Sequence, residues 1–162
     1  VPEFYHKYIN LVLDDDLQKA LSENTLKLIP TLGAIPADKW NYRYAEGKWT
    51  INELVQHMID TERIFSYRAL CFARGEQKPL PGFDENSYAA ASNANSRSKD
   101  DLIIEFKAVR RSTELLFQSF SEEHINAIGT SNNNPISVNA IGFITAGHAQ
   151  HHLNILKERY LQ

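Results

Sequence analysis

Three of the chain's six histidines fall within five consecutive positions of the segment GHAQHHLNILKERY, residues 147–160. Imidazole binds metals through a lone pair, shuttles protons near neutral pH, or sits as a polar core group. Direction decides among these. On a helical wheel at about 100° per residue, with Ile141 at 0°, Ile144, Ile155, Leu156, Tyr160 and Leu153 span about 300° through 0° to 120°. Gln150, Lys157, Asn154 and Glu158 occupy about 160° to 260°. His148, near 340°, and His152, near 20°, lie inside the apolar arc, whereas His151, near 280°, lies at its border with solvent.

Two inward imidazoles one turn apart are neighbours. Their nitrogens are costly to leave unpaired in a core, and protonating both sets like charges side by side. A divalent metal resolves both difficulties, because it binds neutral imidazole through its lone pair. The segment lacks the glutamate of an HExxH motif, which excludes a zincin-type site. Two ligands are too few for a tight site. His57, in the run LVQHMID, flanks the apolar face formed by Leu54, Met58, Phe65 and Phe72 and is the best third ligand. His6 lies in a terminal segment and His124 in the polar stretch SEEHIN; both are set aside. Three histidines with an open fourth position are the ligand set of a catalytic or small-molecule site. The competing reading is a trio of hydrogen-bonded core histidines, and a lone mid-helix histidine such as His57 is more often that than a ligand.

The elements that must position these residues read as four helices. The first begins near DDDLQKAL, capped by Asp14 or Asp15, and keeps helical spacing through Leu17, Leu21, Thr25, Leu28 and Leu32; Pro30 should end or kink it. The second opens on TINE, a capping box of Thr50 and Glu53, and runs to Gly75. Residues 75–97, GEQKPLPGFDENSYAAASNANSRS with its last serine at 98, read as a long loop, a feature that is usually functional or disordered. The third helix starts at Ser98 with Asp101 and presents Leu102, Phe106, Val109, Thr113, Leu116 and Phe120. The fourth is capped by Ser137 and runs to about Leu161. No strand is evident. The expectation is an all-α four-helix bundle in one domain spanning 1–162, with an N-terminal extension at 1–13.

Composition narrows the function. The chain has 162 residues, 43% apolar and 23% charged, with a net charge of −3 and a pI near 6.1. That balance argues against nucleic acid as a partner. No apolar run reaches membrane-spanning length, and VPEFYHKYINLVLDDD lacks the pattern of a secretory signal. The single cysteine, Cys71, excludes an internal disulfide and fits a reducing, cytoplasmic setting.

Taken together, YAEGKWTINELVQHMIDTERI, PLPGFDENSYA and GHAQHHLNIL, in that order, resemble the DinB/YfiT-like superfamily of metal-dependent enzymes, over about residues 14–161. The resemblance implies an up-down-down-up four-helix bundle, often a homodimer. It implies a metal held by one histidine of the second helix and an HxxxH pair of the last, which map onto His57, His148 and His152. Characterised members of the family include thiol S-transferases and a thiol-dependent isomerase. The expected function is therefore that of a metal-dependent enzyme, a transferase using a low-molecular-weight thiol or a hydrolase, acting on a small molecule. The alternative is a non-catalytic metal- or ligand-binding bundle. The expected cofactor is one divalent ion, zinc or nickel first, with iron, manganese or copper also compatible with imidazole. The ion would make a nucleophile of water or thiol at neutral pH. Its affinity would fall below about pH 6.5, where protons compete for free imidazoles.

Arg68 shares the wheel direction of His57 three turns along. Its guanidinium suits an anionic substrate group, but an ion pair with a neighbouring helix is the more ordinary role. Trp40 and Trp49 read as packing for the connector, with Tyr42, Arg43, Tyr44 and Lys48 as an alternative pocket rim. Gly147 either permits a close helix approach or is neutral.

Overall fold

In the computed structural model, which describes residues 1–162, four long helices carry the architecture. These are α2 (Leu17–Ala34), α3 (Ile51–Ala73), α5 (Lys99–Gln118) and α7 (Val138–Ile155). α2 and α3 each pack on both α5 and α7 rather than along one another. Shorter helices are α1 (Glu3–Ile9), α4 (Glu85–Ala91) and α6 (Glu122–Asn126). The main core joins Leu28 and Leu32 of α2, Ile51, Leu54, Val55 and Met58 of α3, Leu102 and Phe106 of α5, and Leu153 beyond the histidines of α7. These are the faces that the helical periodicity selects.

The helix starts follow their capping residues. Thr50 accepts a hydrogen bond from the Glu53 backbone N–H while the Glu53 carboxylate accepts from Thr50 N–H, a complete capping box. Ser98 caps α5 and Ser137 caps α7 in the same sense, each accepting from the backbone three residues on. At α2 the cap is Asp16, whose carboxylate accepts from Lys19 N–H; Asp14 instead accepts from Asp16 N–H and pairs with Lys19. α2 continues through Pro30 to Ala34. The proline removes a bond to the Leu26 carbonyl on a flank where Leu26 is 72% exposed, so water can satisfy that oxygen and the helix survives.

Three further differences from the sequence reading shape the site. The N-terminal extension folds as α1 and packs along α7. The segment 75–97 holds α4, capped by Asp84, and a 3-10 turn at Ala94–Ser96. Two strands exist: β1 (Ile128–Ser131) and β2 (Asn134–Ser137) form an antiparallel hairpin. Its two-residue turn, Asn132–Asn133, has both φ positive, at 48° and 65°, the type I′ geometry that asparagine tolerates. The hairpin anchors the long connection, with Leu80 N–H donating to Thr130 O and Asn132 N–H to Leu80 O. α1, α4 and the hairpin thereby enclose one side of the histidines.

Candidate metal centre

α3 presents His57 and α7 presents His148 and His152 to one point. The three side chains are buried, at 4%, 6% and 7% exposure. Their Nε2 atoms converge: His57 to His148 is 3.1 Å and His152 to His148 is 3.1 Å. One ligand atom from each lies within 4.8 Å of the others. Nitrogens about 2.0–2.1 Å from a shared ion are roughly 3.3–3.4 Å apart at a tetrahedral angle and about 2.9 Å apart at a right angle. The observed spacing falls between those values.

Hydrogen bonding alone satisfies this trio poorly. A ring nitrogen carries either one hydrogen or one lone pair, yet His148 Nε2 faces two other nitrogens at the same short distance. Burial depresses all three pKa values, so the rings are neutral: His57 falls to about 4, with His151 adding to the effect. His148 and His152 fall well below their ordinary range through burial, reinforced by neighbouring histidines. Three neutral rings with Nε2 lone pairs aimed at one point fit a divalent cation. In that tautomer Nδ1 carries the hydrogen, and His57 Nδ1 has an acceptor in Thr61 Oγ1 at 3.3 Å, which holds the orientation of the ring. His152 Nδ1 is buried with no partner.

His151 is half-buried and stays outside the convergence, against the Tyr8 ring at 5.3 Å. His6 is exposed, and His124 caps α6, its Nδ1 accepting from Ser121 N–H. Asp60 accepts from Gln56, and Glu62 pairs with Arg110 inside the bundle.

The cluster opens onto a cavity of about 360 Å³, lined by His57, His148, Thr61, Phe65 and Arg68 on the bundle side. Phe4, Tyr5 and Tyr8 of α1, Phe83 to Asn86 around the start of α4, and Asn132 of the hairpin turn complete it. Arg68 is 4% exposed and does not make the inter-helix ion pair expected as its ordinary role; Nη2 donates to Pro81 O at 2.9 Å. Glu85 Oε2 lies 3.9 Å from His57 Nε2. The Trp49 ring packs tilted against His57, with centroids 4.7 Å apart, while Trp40 is buried in the main core. Tyr44 packs on Tyr160 and stands apart from the cavity lining.

Sequence reasoning missed Glu85, Tyr8 and Thr61. Thr61 follows His57 by one turn, a readable signal. Glu85 follows Asp84 in a DENS cap that announces a short helix inside an apparent loop.

The family model of the DinB superfamily matches residues 20–156. The chain belongs to the DinB superfamily. A protein of Oceanobacillus iheyensis named "Putative metal-dependent hydrolase OB0413" is 25% identical over 140 residues, covering 86% of this chain and 80% of that protein. YfiT of Bacillus subtilis, described as a probable metal-dependent hydrolase with an unusual four-helix bundle topology, superposes with a TM-score of 0.78. It shares 16% identity, with 89% of this chain and 83% of that one covered. The DinB-like protein YjoA of the same organism gives a TM-score of 0.53 at 16% identity, covering 94% and 87%. At these identities the two structures bear on the fold alone. No helix of the chain is long and apolar enough to cross a membrane.

Proposed function

We propose that this DinB-superfamily protein is a metal-dependent hydrolase acting on a small molecule, with His57, His148 and His152 holding one divalent ion through Nε2. The carrying observation is the open side of the histidine cluster: three imidazoles from two helices converge, and two of them, His57 and His148, line a cavity of about 360 Å³. A cluster that only tied helices together would be closed by a fourth protein ligand. A divalent cation there would act as a Lewis acid that makes a nucleophile available at neutral pH.

The chain's own groups supply the remaining parts. Thr61 fixes the His57 ring through Nδ1. Glu85, on the open side and beside His57 Nε2, is placed to take a proton from an attacking nucleophile and return it to the leaving group. Phe65, Tyr5 and Tyr8 limit water and give an apolar wall. The relatives' names support hydrolysis. The family resemblance also implies thiol S-transfer, homodimerisation and up-down-down-up helix order, and these stand as secondary proposals. The test is elemental analysis of protein purified without chelators, followed by an ester, amide and electrophile screen with water alone or with added thiols. Metal-dependent turnover without thiol supports the hydrolase. Turnover only with thiol replaces it by the transferase, and absence of bound metal after loading overturns both.

A further inference from the structure

Two arginines are buried in this bundle, and they are treated differently. Arg110, 1% exposed, is saturated. Its Nε and Nη2 donate to the two oxygens of Glu62 at 2.8 and 3.0 Å, and Nη1 reaches Leu21 O, Asn24 Oδ1 and Thr25 Oγ1. Arg68, 4% exposed, makes one hydrogen bond, to the Pro81 carbonyl. No carboxylate oxygen comes within the 4.0 Å of an ion pair. The nearby acids are otherwise placed: Asp84 accepts from the Ser87 backbone, and Glu85 lies by His57. A guanidinium offers five N–H donors in a planar fork and does not lose its charge. Apart from the bond to Pro81, its N–H donors have no protein partner, and Arg68 lines the cavity, where an anion can take them.

The unused donors belong to a residue lining the same cavity as His57 and His148. The guanidinium carbon sits 5.9 Å from the centre of the Phe65 ring, and that ring is 5.9 Å from the His148 ring. The guanidinium is therefore within about 12 Å of the His148 ring, two ring contacts away. Arg68 is eleven positions after His57 on α3, and helix side chains lean toward the N-terminus, which tilts it toward the histidines.

The geometry points to Arg68 as the anion-binding end of the metal cavity: the substrate carries an oxyanion, carboxylate or phosphoryl, held by Arg68 while its reacting group lies at the histidines. This subsite rests on the metal-enzyme reading for its second half, but the anion contact stands on Arg68 alone. Anchoring at one end and reaction at the other, bridged by the Phe65 ring, selects small substrates whose reactive bond and anionic group are separated by an apolar spacer.

Two measurements test it. In the metal-free 162-residue chain, the Arg68 Nε–H resonance is followed while propionate, inorganic phosphate or propionamide is added. The expected result is a saturable shift with an anion and none with the amide; the anion acting at lower concentration assigns carboxylate or phosphoryl. In zinc-loaded protein, calorimetry compares ω-mercaptoalkanoates of increasing length with their primary amides. At the length that spans the cavity the carboxylate should bind about tenfold or more tightly, because a charge-assisted fork is gained. Arg68→Gln should erase that difference and Arg68→Lys reduce it, with helical content and metal content unchanged. Arg68→Lys keeps the charge and serves if the Gln variant does not fold. An anion-dependent shift without zinc binding leaves the subsite standing and removes the metal enzyme. Zinc binding with equal affinity for acid and amide, and no shift, overturns the subsite alone.

Discussion

Gly147→Ala should release the N-terminal helix while leaving the bundle intact. A Cβ at position 147 would lie 2.0 Å from the Tyr8 carbonyl oxygen, 2.5 Å from its carbon and 3.1 Å from its Cα. Ordinary C···O contacts are about 3.3–3.6 Å, so α1 must retreat by roughly 1.3 Å. The obstacle is backbone, so no rotamer change relieves it. α1 is seven residues long with only Tyr8 buried, too short to persist undocked. Strain of about 1–3 kcal/mol therefore meets a gain of about 1 kcal/mol from alanine inside α7. The cheapest response is local undocking. The global unfolding free energy from urea titration should change by less than about 1 kcal/mol. Trypsin cleavage after Lys7 and amide exchange across 3–9 should accelerate, because the Tyr8 ring leaves His148, 5.3 Å away. Gly142→Ala is the control: its Cβ meets side chains only, Leu17 Cδ2 at 2.4 Å and Phe117 Cε1 at 2.9 Å, so side-chain movement rather than backbone retreat relieves it and α1 stays docked. Unchanged protection of residues 3–9 in Gly147→Ala would refute the close-approach argument.

Removing Arg110 with Arg110→Ala strands Glu62, 3% exposed, and should lower stability by about 3–5 kcal/mol in urea titration; a loss under 1 kcal/mol contradicts the buried-pair account. For the metal-free protein, the buried histidines have folded pKa values below the unfolded value of about 6.5. The unfolded chain then binds more protons, so stability is full above that pH and falls as pH drops. His57, depressed to about 4, contributes about 3 kcal/mol of that loss between pH 6.5 and 4; a flat urea midpoint across this range counts against neutral burial. Sedimentation at micromolar concentration should show a dimer, and a monomer at every concentration removes that proposal.

The helical faces and three of the four long-helix caps were legible because they are local. Apolar spacing marked Leu28, Leu54 and Leu153, and a capping serine or threonine marked the starts, with an acidic residue three positions on at Thr50 and Ser98. The inward direction of His148 and His152 followed from the same periodicity. Other features depend on contacts distant in sequence. α1 is stabilised by α7 through Gly147, and the hairpin is only four residues per strand; neither carries an extended apolar pattern of its own. Arg68 illustrates the limit most clearly: its wheel position was readable, but its partner, the Pro81 carbonyl rather than a carboxylate, appears only once the 75–97 segment is folded against α3. Burial also moves proton competition at His57 from near pH 6.5 to about 4, a shift that the sequence does not carry.

The central claim is that three histidine nitrogens, and not a fourth, hold one divalent ion. Metal content is to be measured at neutral pH, after zinc loading and desalting, for the wild type and for His57→Ala, His148→Ala, His152→Ala and His151→Ala. The account predicts one ion per chain in the wild type and in His151→Ala, because His151 stands outside the convergence. It predicts loss of tight binding in the other three, where two remaining nitrogens cannot hold the ion against water. Metal retained by His152→Ala and lost by His151→Ala would contradict it.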